Sequence, residues 1–148
     1  MFEHSPWIAE AASTRRPFST IEELCAAFRS IVENSDAGKK VALISAHPDL
    51  AGRAALAGKL STSSASEQAS VGLTQLSPAE IEAFQNQNRI YREKFGFPFV
   101  ICARLNQKET ILQSFESRLK HSREVEIQTA LEEIYKIAYL RLQDIVKT

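Results

Sequence analysis

The sequence predicts an all-α fold, with residues 1–148 forming a single domain around one compact, bundle-like core. Three observations support this prediction. Apolar residues recur at helical spacing in several segments, helix-capping residues precede many of those segments, and no stretch shows the repeated strand-and-turn pattern of a sheet. A chain of 148 residues is about one domain, and 44% hydrophobic with 24% charged residues is an ordinary globular composition.

The first clear helix is predicted to begin near residue 20. Ser19 and Thr20 each have a glutamate three residues later, which is the spacing of a capping box. The apolar residues that follow recur at helical spacing. They are Ile21, Leu24, Cys25, Phe28, Ile31 and Val32. The polar and glycine-containing residues 34–38 should end this helix.

The next part of the chain gives weaker signals. Residues 39–46 form a short apolar run that fits either a strand or a buried helix. An alanine-rich segment then predicts a helix starting at Asp49. Residues 61–73 are rich in serine and read as a flexible linker by composition. We expect more than a linker there, because apolar spacers rather than further polar residues follow Glu67 and Gln68.

The sequence around residues 77–96 is the clearest helix. Ser77 is a good N-cap, Pro78 fits the first helical position, and Glu80 completes a capping box. Gly96 can supply the left-handed turn at the end. The predicted buried stripe consists of Ile81, Phe84, Asn88, Tyr91 and Phe95.

Two further helices are predicted, one capped by Asn106 and one running from about Ser122 almost to the end of the chain. The stripe of the last helix is Ile127, Leu131, Ile134, Ala138, Arg141 and Ile145. Arg141 breaks this stripe, because a guanidinium facing a core is costly unless it is paired or faces an anion. The simpler explanation, slightly favoured from position alone, is a side chain that extends its charged end into water.

Two more features stand out from the pattern. Pro48 disfavours helical geometry at His47, so a buried element should end there, which places an imidazole where side chains can face a cleft. A lone histidine is more often structural than catalytic, and a solvated loop would explain Glu67 and Gln68. Taken together, the imidazole, the carboxylate and Arg141 would supply a proton-transfer group, a second acid or base and an anion clamp. That set suits a small, acidic, nitrogen-rich substrate.

Charge and cysteine content narrow the class of protein further. Eighteen basic side chains offset eighteen acidic ones, so there is no electrostatic reason to expect nucleic acid or an anionic membrane as partner. Cys25 and Cys102 are too few and too far apart for a disulfide framework or a zinc site. With no signal peptide or transmembrane run visible, we expect a domain of the reducing cytoplasm.

Five motifs give the sequence a family resemblance. In order, they are "EHSPW" (3–7), "HPDL" (47–50), "SSASEQ" (63–68), "KFGFPFVI" (94–101) and the closing helix with its arginine. This series resembles the family of 2-oxo-4-hydroxy-4-carboxy-5-ureidoimidazoline (OHCU) decarboxylases over nearly the whole chain. Members usually carry a short helix before the first motif, whereas only Met1 and Phe2 precede that motif in this sequence. We therefore expect the packing of the N-terminus to differ here.

The resemblance implies an all-helical enzyme of urate degradation that converts OHCU to (S)-allantoin with loss of carbon dioxide. It implies no organic cofactor and no metal. The catalytic residues would be His47 and Glu67, with Arg141 binding the substrate carboxylate. The substrate contacts that the resemblance implies are Pro48, Ser64, Ala65, Ser66, Glu67, Gln68, Phe99, Val100, Ile101, Cys102 and Ala103.

Two other classes of function stay open at this point. One is a non-catalytic helical module that binds a purine-like metabolite or a partner helix, which would not need an intact histidine, glutamate and arginine set. The other is a purely structural helical protein, which would leave Arg141 unexplained. Exposed aromatic residues near Trp7 and Phe18 could serve a homodimer, which the family resemblance also suggests.

Overall fold

The computed structural model describes residues 5–12, 20–50, 62–70 and 76–146. The helices in these ranges are α1 (Trp7–Ala12), α2 (Ile21–Glu33), α3 (Ala37–Ser45), α4 (Thr62–Ser70), α5 (Pro78–Phe95), α6 (Lys108–Arg118) and α7 (Arg123–Val146), with a 3-10 turn at Ala103–Leu105. No strand occurs in the described ranges, and the all-α prediction is confirmed. The helix predicted from Asp49 falls mainly on residues outside those ranges.

Side-chain caps explain where α2 and α3 begin. The Thr20 hydroxyl accepts a hydrogen bond from the Glu23 backbone N–H at 3.1 Å, as one of the two predicted caps requires. Asp36 accepts from the Lys39 N–H at 2.8 Å and starts α3. The ambiguous run of residues 39–46 is therefore mostly helix, because a capped first turn satisfies backbone donors that an extended chain would leave to a partner strand.

The ends of α5 lie where the sequence predicts them. Ser77 and Glu80 form the reciprocal capping box, with bonds of 3.2 and 3.0 Å. Gly96 closes the helix at a φ of 82°, which a residue with a side chain rarely adopts. The left-handed turn redirects the chain into the extended segment of residues 97–102, which forms one wall of the candidate site.

The predicted cap of α6 is wrong by one residue. Gln107 is the N-cap, and its N–H donates to the Thr110 hydroxyl at 3.2 Å. The Asn106 side chain instead donates to the Cys102 carbonyl at 2.9 Å. Asparagine side chains bond to nearby backbone both in turns and at caps, so composition alone does not distinguish the two.

The core is built around aromatic rings carried by α5, α6 and the segment between them. The fully buried aromatic side chains are Tyr91, Phe84, Phe97, Phe99 and Phe115. Phe99 stacks on Phe115, with ring centroids 3.8 Å apart. Burying a phenylalanine of this kind contributes about 1.5–3 kcal/mol, so these rings fix the extended segment firmly against α6.

Helix α7 packs against α2 and α3 along most of its predicted stripe. Leu131, Ile134, Ala138 and Arg141 are buried. The prediction for Ile145 is wrong, because this side chain near the end of the helix is 59% exposed.

Of the two aromatic residues proposed for a dimer contact, only Trp7 is among the described residues. Trp7 is half-buried against the core, with the Lys39 ammonium 5.7 Å from its ring centroid. Phe18 lies outside the described residues.

In the described part of the chain, none of the helices combines the length and hydropathy needed to cross a membrane.

Candidate active site

A cavity that is open to solvent lies where four parts of the chain meet. These parts are the loop after α3, the helix α4, the extended segment before the 3-10 turn, and the C-terminal half of α7. The cavity is lined by ten residues that the sequence predicted as site residues. They are His47, Pro48, Ser64, Glu67, Gln68, Phe99, Val100, Ile101, Ala103 and Arg141.

His47 sits just beyond the end of α3, as the following proline predicts. Its backbone N–H donates to the Ile44 carbonyl at 3.1 Å, and its side chain is buried. The ring Nδ1 lies 2.9 Å from the Leu43 carbonyl oxygen. Because a carbonyl can only accept, this contact requires the proton on Nδ1. In the neutral ring the lone pair is then on Nε2, so this nitrogen is the one suited to take up a proton.

Arg141 and Glu67 form a bidentate ion pair across the cavity wall. Arg141 donates from Nε to one carboxylate oxygen at 2.9 Å and from Nη2 to the other at 2.8 Å. The same Nη2 also donates to the Ser64 hydroxyl at 3.3 Å. The two charged side chains are only 8% and 13% exposed. The arginine is therefore paired and buried, and the explanation that its end extends into water is wrong.

Helix α4 explains why the serine-rich stretch is not a linker. Ser64 and Gln68 are buried one turn apart, with Glu67 beside them on the cavity face. Gln68 also donates to the Asp49 carbonyl at 3.3 Å, which links α4 to the chain after the histidine. Ala65 and Ser66 are exposed and lie outside the cavity lining, because the helix turns them to its other side.

The extended segment and the first residue of the 3-10 turn supply the apolar wall. Phe99, Val100, Ile101 and Ala103 all line the cavity and are buried. Cys102 is buried too but does not line the cavity, and its backbone N–H donates to the carboxylate of Glu133 at 3.1 Å. Burial, with Glu133 nearby, raises the pKa of the Cys102 thiol. This cysteine is held as a neutral structural side chain.

Two lining residues were missed from the sequence, Leu50 and Ile137. For each of them the sequence contained a signal that could have identified it. Leu50 is the last residue of the "HPDL" motif, and Ile137 precedes Arg141 by one helical turn. Across the described ranges, no three or more His, Cys, Asp or Glu side chains are grouped as metal ligands would be.

Comparison with known proteins gives one consistent family. A family model described as OHCU decarboxylase matches residues 1–143. The 2-oxo-4-hydroxy-4-carboxy-5-ureidoimidazoline decarboxylase of Haloferax volcanii is 42% identical over 144 residues, covering 97% of this chain and 83% of that protein. The protein of the same name from Xenopus laevis is 38% identical over 145 residues, covering 98% and 83%.

Solved structures agree in fold. A crystal structure of OHCU decarboxylase in the presence of (S)-allantoin superposes with a TM-score of 0.79 at 26% identity, covering 98% of this chain and 94% of that one. A crystal structure of (S)-allantoin synthase gives a TM-score of 0.75 at 34% identity, covering 97% of this chain and 46% of that one. The chain belongs to the OHCU decarboxylase family.

Proposed function

We propose that this protein decarboxylates OHCU to (S)-allantoin in urate degradation, without a cofactor, and that the cavity between α4, α7 and the extended segment is its active site. The family supports the reaction. The observation that carries the site is that His47, Glu67 and Arg141, from three separate parts of the chain, line one cavity.

The substrate carries its own electron sink. In OHCU, the ring carbon that bears the carboxylate also bears a hydroxyl and is bonded to an imine carbon that carries the ureido group. When the bond to carbon dioxide breaks, its electron pair forms a double bond between these two ring carbons, and the imine nitrogen takes up a proton. The resulting enol then loses its hydroxyl proton while the ureido-bearing carbon gains one. Addition of that proton to a single face gives one enantiomer of allantoin.

His47 is the proposed proton-transfer group. The Leu43 carbonyl accepts from Nδ1 and so fixes the ring, and Nε2 is the nitrogen that would exchange a proton with the substrate. A fixed ring exchanges that proton along one direction, which is what a stereospecific product requires. The buried position of His47 also limits competing exchange with bulk water.

Arg141 and Glu67 are proposed to bind and orient the substrate as a unit. The guanidinium supplies positive charge for the carboxylate of OHCU. The bidentate pair with Glu67 fixes the plane of the guanidinium before the substrate binds. Glu67 would also position the substrate ring and influence the protonation of the histidine. Ser64 and Gln68 would hydrogen-bond to the ureido group and the ring edges, against the apolar wall that includes Phe99 and Ile101.

A coupled assay tests the proposed reaction. OHCU is generated in situ from urate with urate oxidase and 5-hydroxyisourate hydrolase, and the optical activity of the allantoin formed is followed by circular dichroism. The protein should accelerate the appearance of (S)-allantoin over the slow spontaneous reaction, whose product should be racemic. Absence of any acceleration by folded protein would count against the function.

The alternative is a non-catalytic module that binds a purine-like metabolite or a partner helix. Such a module needs a cavity but no proton-transfer group held in one orientation, as His47 is held by Leu43. In the same assay it would leave the rate unchanged while still binding allantoin in a calorimetric titration.

Location and assembly are also part of the proposal. A cytoplasmic location fits purine catabolism and the two free cysteines, Cys25 and Cys102. A homodimer is the assembly that the family resemblance suggests, and light scattering on the purified protein measures it directly.

A further inference from the structure

Two buried charged side chains hold the apolar wall of the cavity from outside. Arg118 on α6 donates from Nη1 to the Val100 carbonyl at 2.7 Å. Glu133 on α7 accepts from the Cys102 N–H at 3.1 Å. Neither side chain lines the cavity, and both are buried. Buried charged side chains are uncommon, so two of them that hydrogen-bond to the backbone of one short segment call for an explanation.

The two attachment points lie two residues apart on extended backbone. Val100 is attached through its carbonyl and Cys102 through its N–H. Cys102 has φ −73° and ψ 95°, an extended conformation. Phe99, Ile101 and Ala103, which alternate with the two attached residues, all line the cavity, and Val100 lines it as well.

Arg118 is itself held in place by a buried network. Its Nε donates to Glu126 at 2.7 Å, and this fully buried carboxylate also accepts a hydrogen bond from the Tyr91 hydroxyl. The guanidinium carbon lies 4.3 Å from the centroid of the Phe99 ring. Arg118 thus contacts both a backbone carbonyl and an aromatic ring of the wall.

Glu133 connects the wall to the substrate-binding face of α7. Glu133, Ile137 and Arg141 follow one another at intervals of four residues, so they lie along one face of the helix. Over eight residues a helix rises about 12 Å. One rigid element therefore sets the distance between the attached wall and the arginine that pairs with Glu67.

We propose that Glu133 and Arg118 are positioning residues for the decarboxylation, which fix the wall of residues 99–103 at a set distance from Arg141. The inference rests on the proposed function. Neither residue touches the substrate. They act through the backbone of Val100 and Cys102, and they determine how closely the apolar wall and the charged pair can hold OHCU between them.

Substitutions at Glu133 separate positioning from charge. Glu133→Gln keeps an acceptor oxygen for the Cys102 N–H, whereas Glu133→Leu removes it. The matched control is Lys136→Met, because Lys136 pairs with the other carboxylate oxygen of Glu133 at 2.5 Å and is half exposed. The Gln and Lys136→Met variants should keep KM for OHCU within about three-fold of the parent, while the Leu variant should raise it about ten-fold or more.

Hydrogen exchange at the Cys102 amide gives a readout besides activity. In the folded Leu variant this amide should exchange faster than in the parent and in the Gln variant. If the Leu variant fails to fold, Arg118→Lys replaces it, because lysine keeps a charge beside Glu126 but lacks the planar fork that also reaches Val100. Its KM should likewise rise about ten-fold.

The outcomes are distinguishable. If the parent is active and KM is unchanged in folded Glu133→Leu, the positioning role is overturned and the proposed function stands. The same conclusion follows from an unchanged KM in Arg118→Lys where that variant replaces Glu133→Leu. A folded parent without decarboxylase activity would overturn the function, and the positioning role with it. A raised KM restored by glutamine, with slow amide exchange restored in parallel, supports the inference.

Discussion

The guanidinium of Arg141 on α7 donates two hydrogen bonds to the carboxylate of Glu67 on α4, and these two residues are 74 positions apart in the chain. Each side chain is the charged partner of the other inside the cavity wall, so neither charge is buried alone. The pair also joins α4 to α7. A substitution at either position should therefore affect both substrate binding and the free energy of unfolding.

Arg141→Ala should raise KM for OHCU about ten-fold or more, because it removes a charge-assisted contact to the substrate anion. It should also lower the free energy of unfolding by about 3 kcal/mol, since Glu67 is left buried without its cation. Steady-state kinetics and urea denaturation measure the two effects separately. An unchanged KM would remove the arginine from its proposed binding role.

The matched control for that substitution is the double variant Arg141→Met with Glu67→Met. Apolar side chains of similar size remove both charges together, so most of the lost stability should return. Activity should not return, because the anion-binding charge is still missing. If the double variant were as unstable as the single one, loss of the cation beside Glu67 would not be the cause of the instability.

Tyr91→Phe tests the buried network behind the cavity wall. Burial raises the pKa of the Tyr91 phenol far above its usual range, so the hydroxyl stays protonated and donates to Glu126. Phenylalanine keeps the ring but loses this hydrogen bond to a charged group, and the free energy of unfolding should fall by about 1.5–3 kcal/mol. Tyr139→Phe is the control, since its hydroxyl contacts Glu22 in an exposed hydrogen bond and should matter little. Equal stability of the parent and Tyr91→Phe would show that this hydrogen bond makes no net contribution.

Glu80 should make stability depend on pH in acid. Its hydrogen bond with the Lys108 ammonium and the one from the Ser77 N–H lower the pKa of Glu80 to about 2, from an ordinary value of 4.5. A carboxyl whose pKa is lower in the folded state stabilises the fold above the unfolded pKa and loses that effect as pH falls through the folded one. Glu80→Gln should therefore be less stable than the parent at neutral pH, and the difference should shrink between about pH 4.5 and 2. Urea midpoints across this range measure it, and a difference that does not change with pH would contradict the pKa shift.

Local signals in the sequence predicted much of the fold. The capping box at Ser77 and the turn at Gly96 depend only on neighbouring residues, so their positions could be read directly. Arg141 was identified because it interrupts an apolar stripe, and the structure places it in the cavity. The exposure of Ile145 was not predictable in this way, because periodicity does not show where a helix extends beyond the elements that it packs against.

Other features depend on contacts between distant parts of the chain. Nothing in the spacing of the last helix indicates that Glu126 and Glu133 are buried, because their partners Arg118 and the Cys102 N–H come from elsewhere. The motif that resembles the family covers Ala65 along with its neighbours, yet only the helical geometry of α4 shows that this residue faces away from the cavity. A motif identifies a segment, whereas the fold selects the side chains.

The most direct test of the site is the rate of (S)-allantoin formation by His47→Asn at saturating OHCU. Asparagine can keep a hydrogen bond to the Leu43 carbonyl, but it cannot exchange a proton near neutral pH. We predict that kcat falls by about 10²–10⁴-fold and that stereoselectivity is lost, while the circular dichroism spectrum of the protein is unchanged. Near-parental turnover of a single enantiomer by folded His47→Asn would contradict the proposed active site.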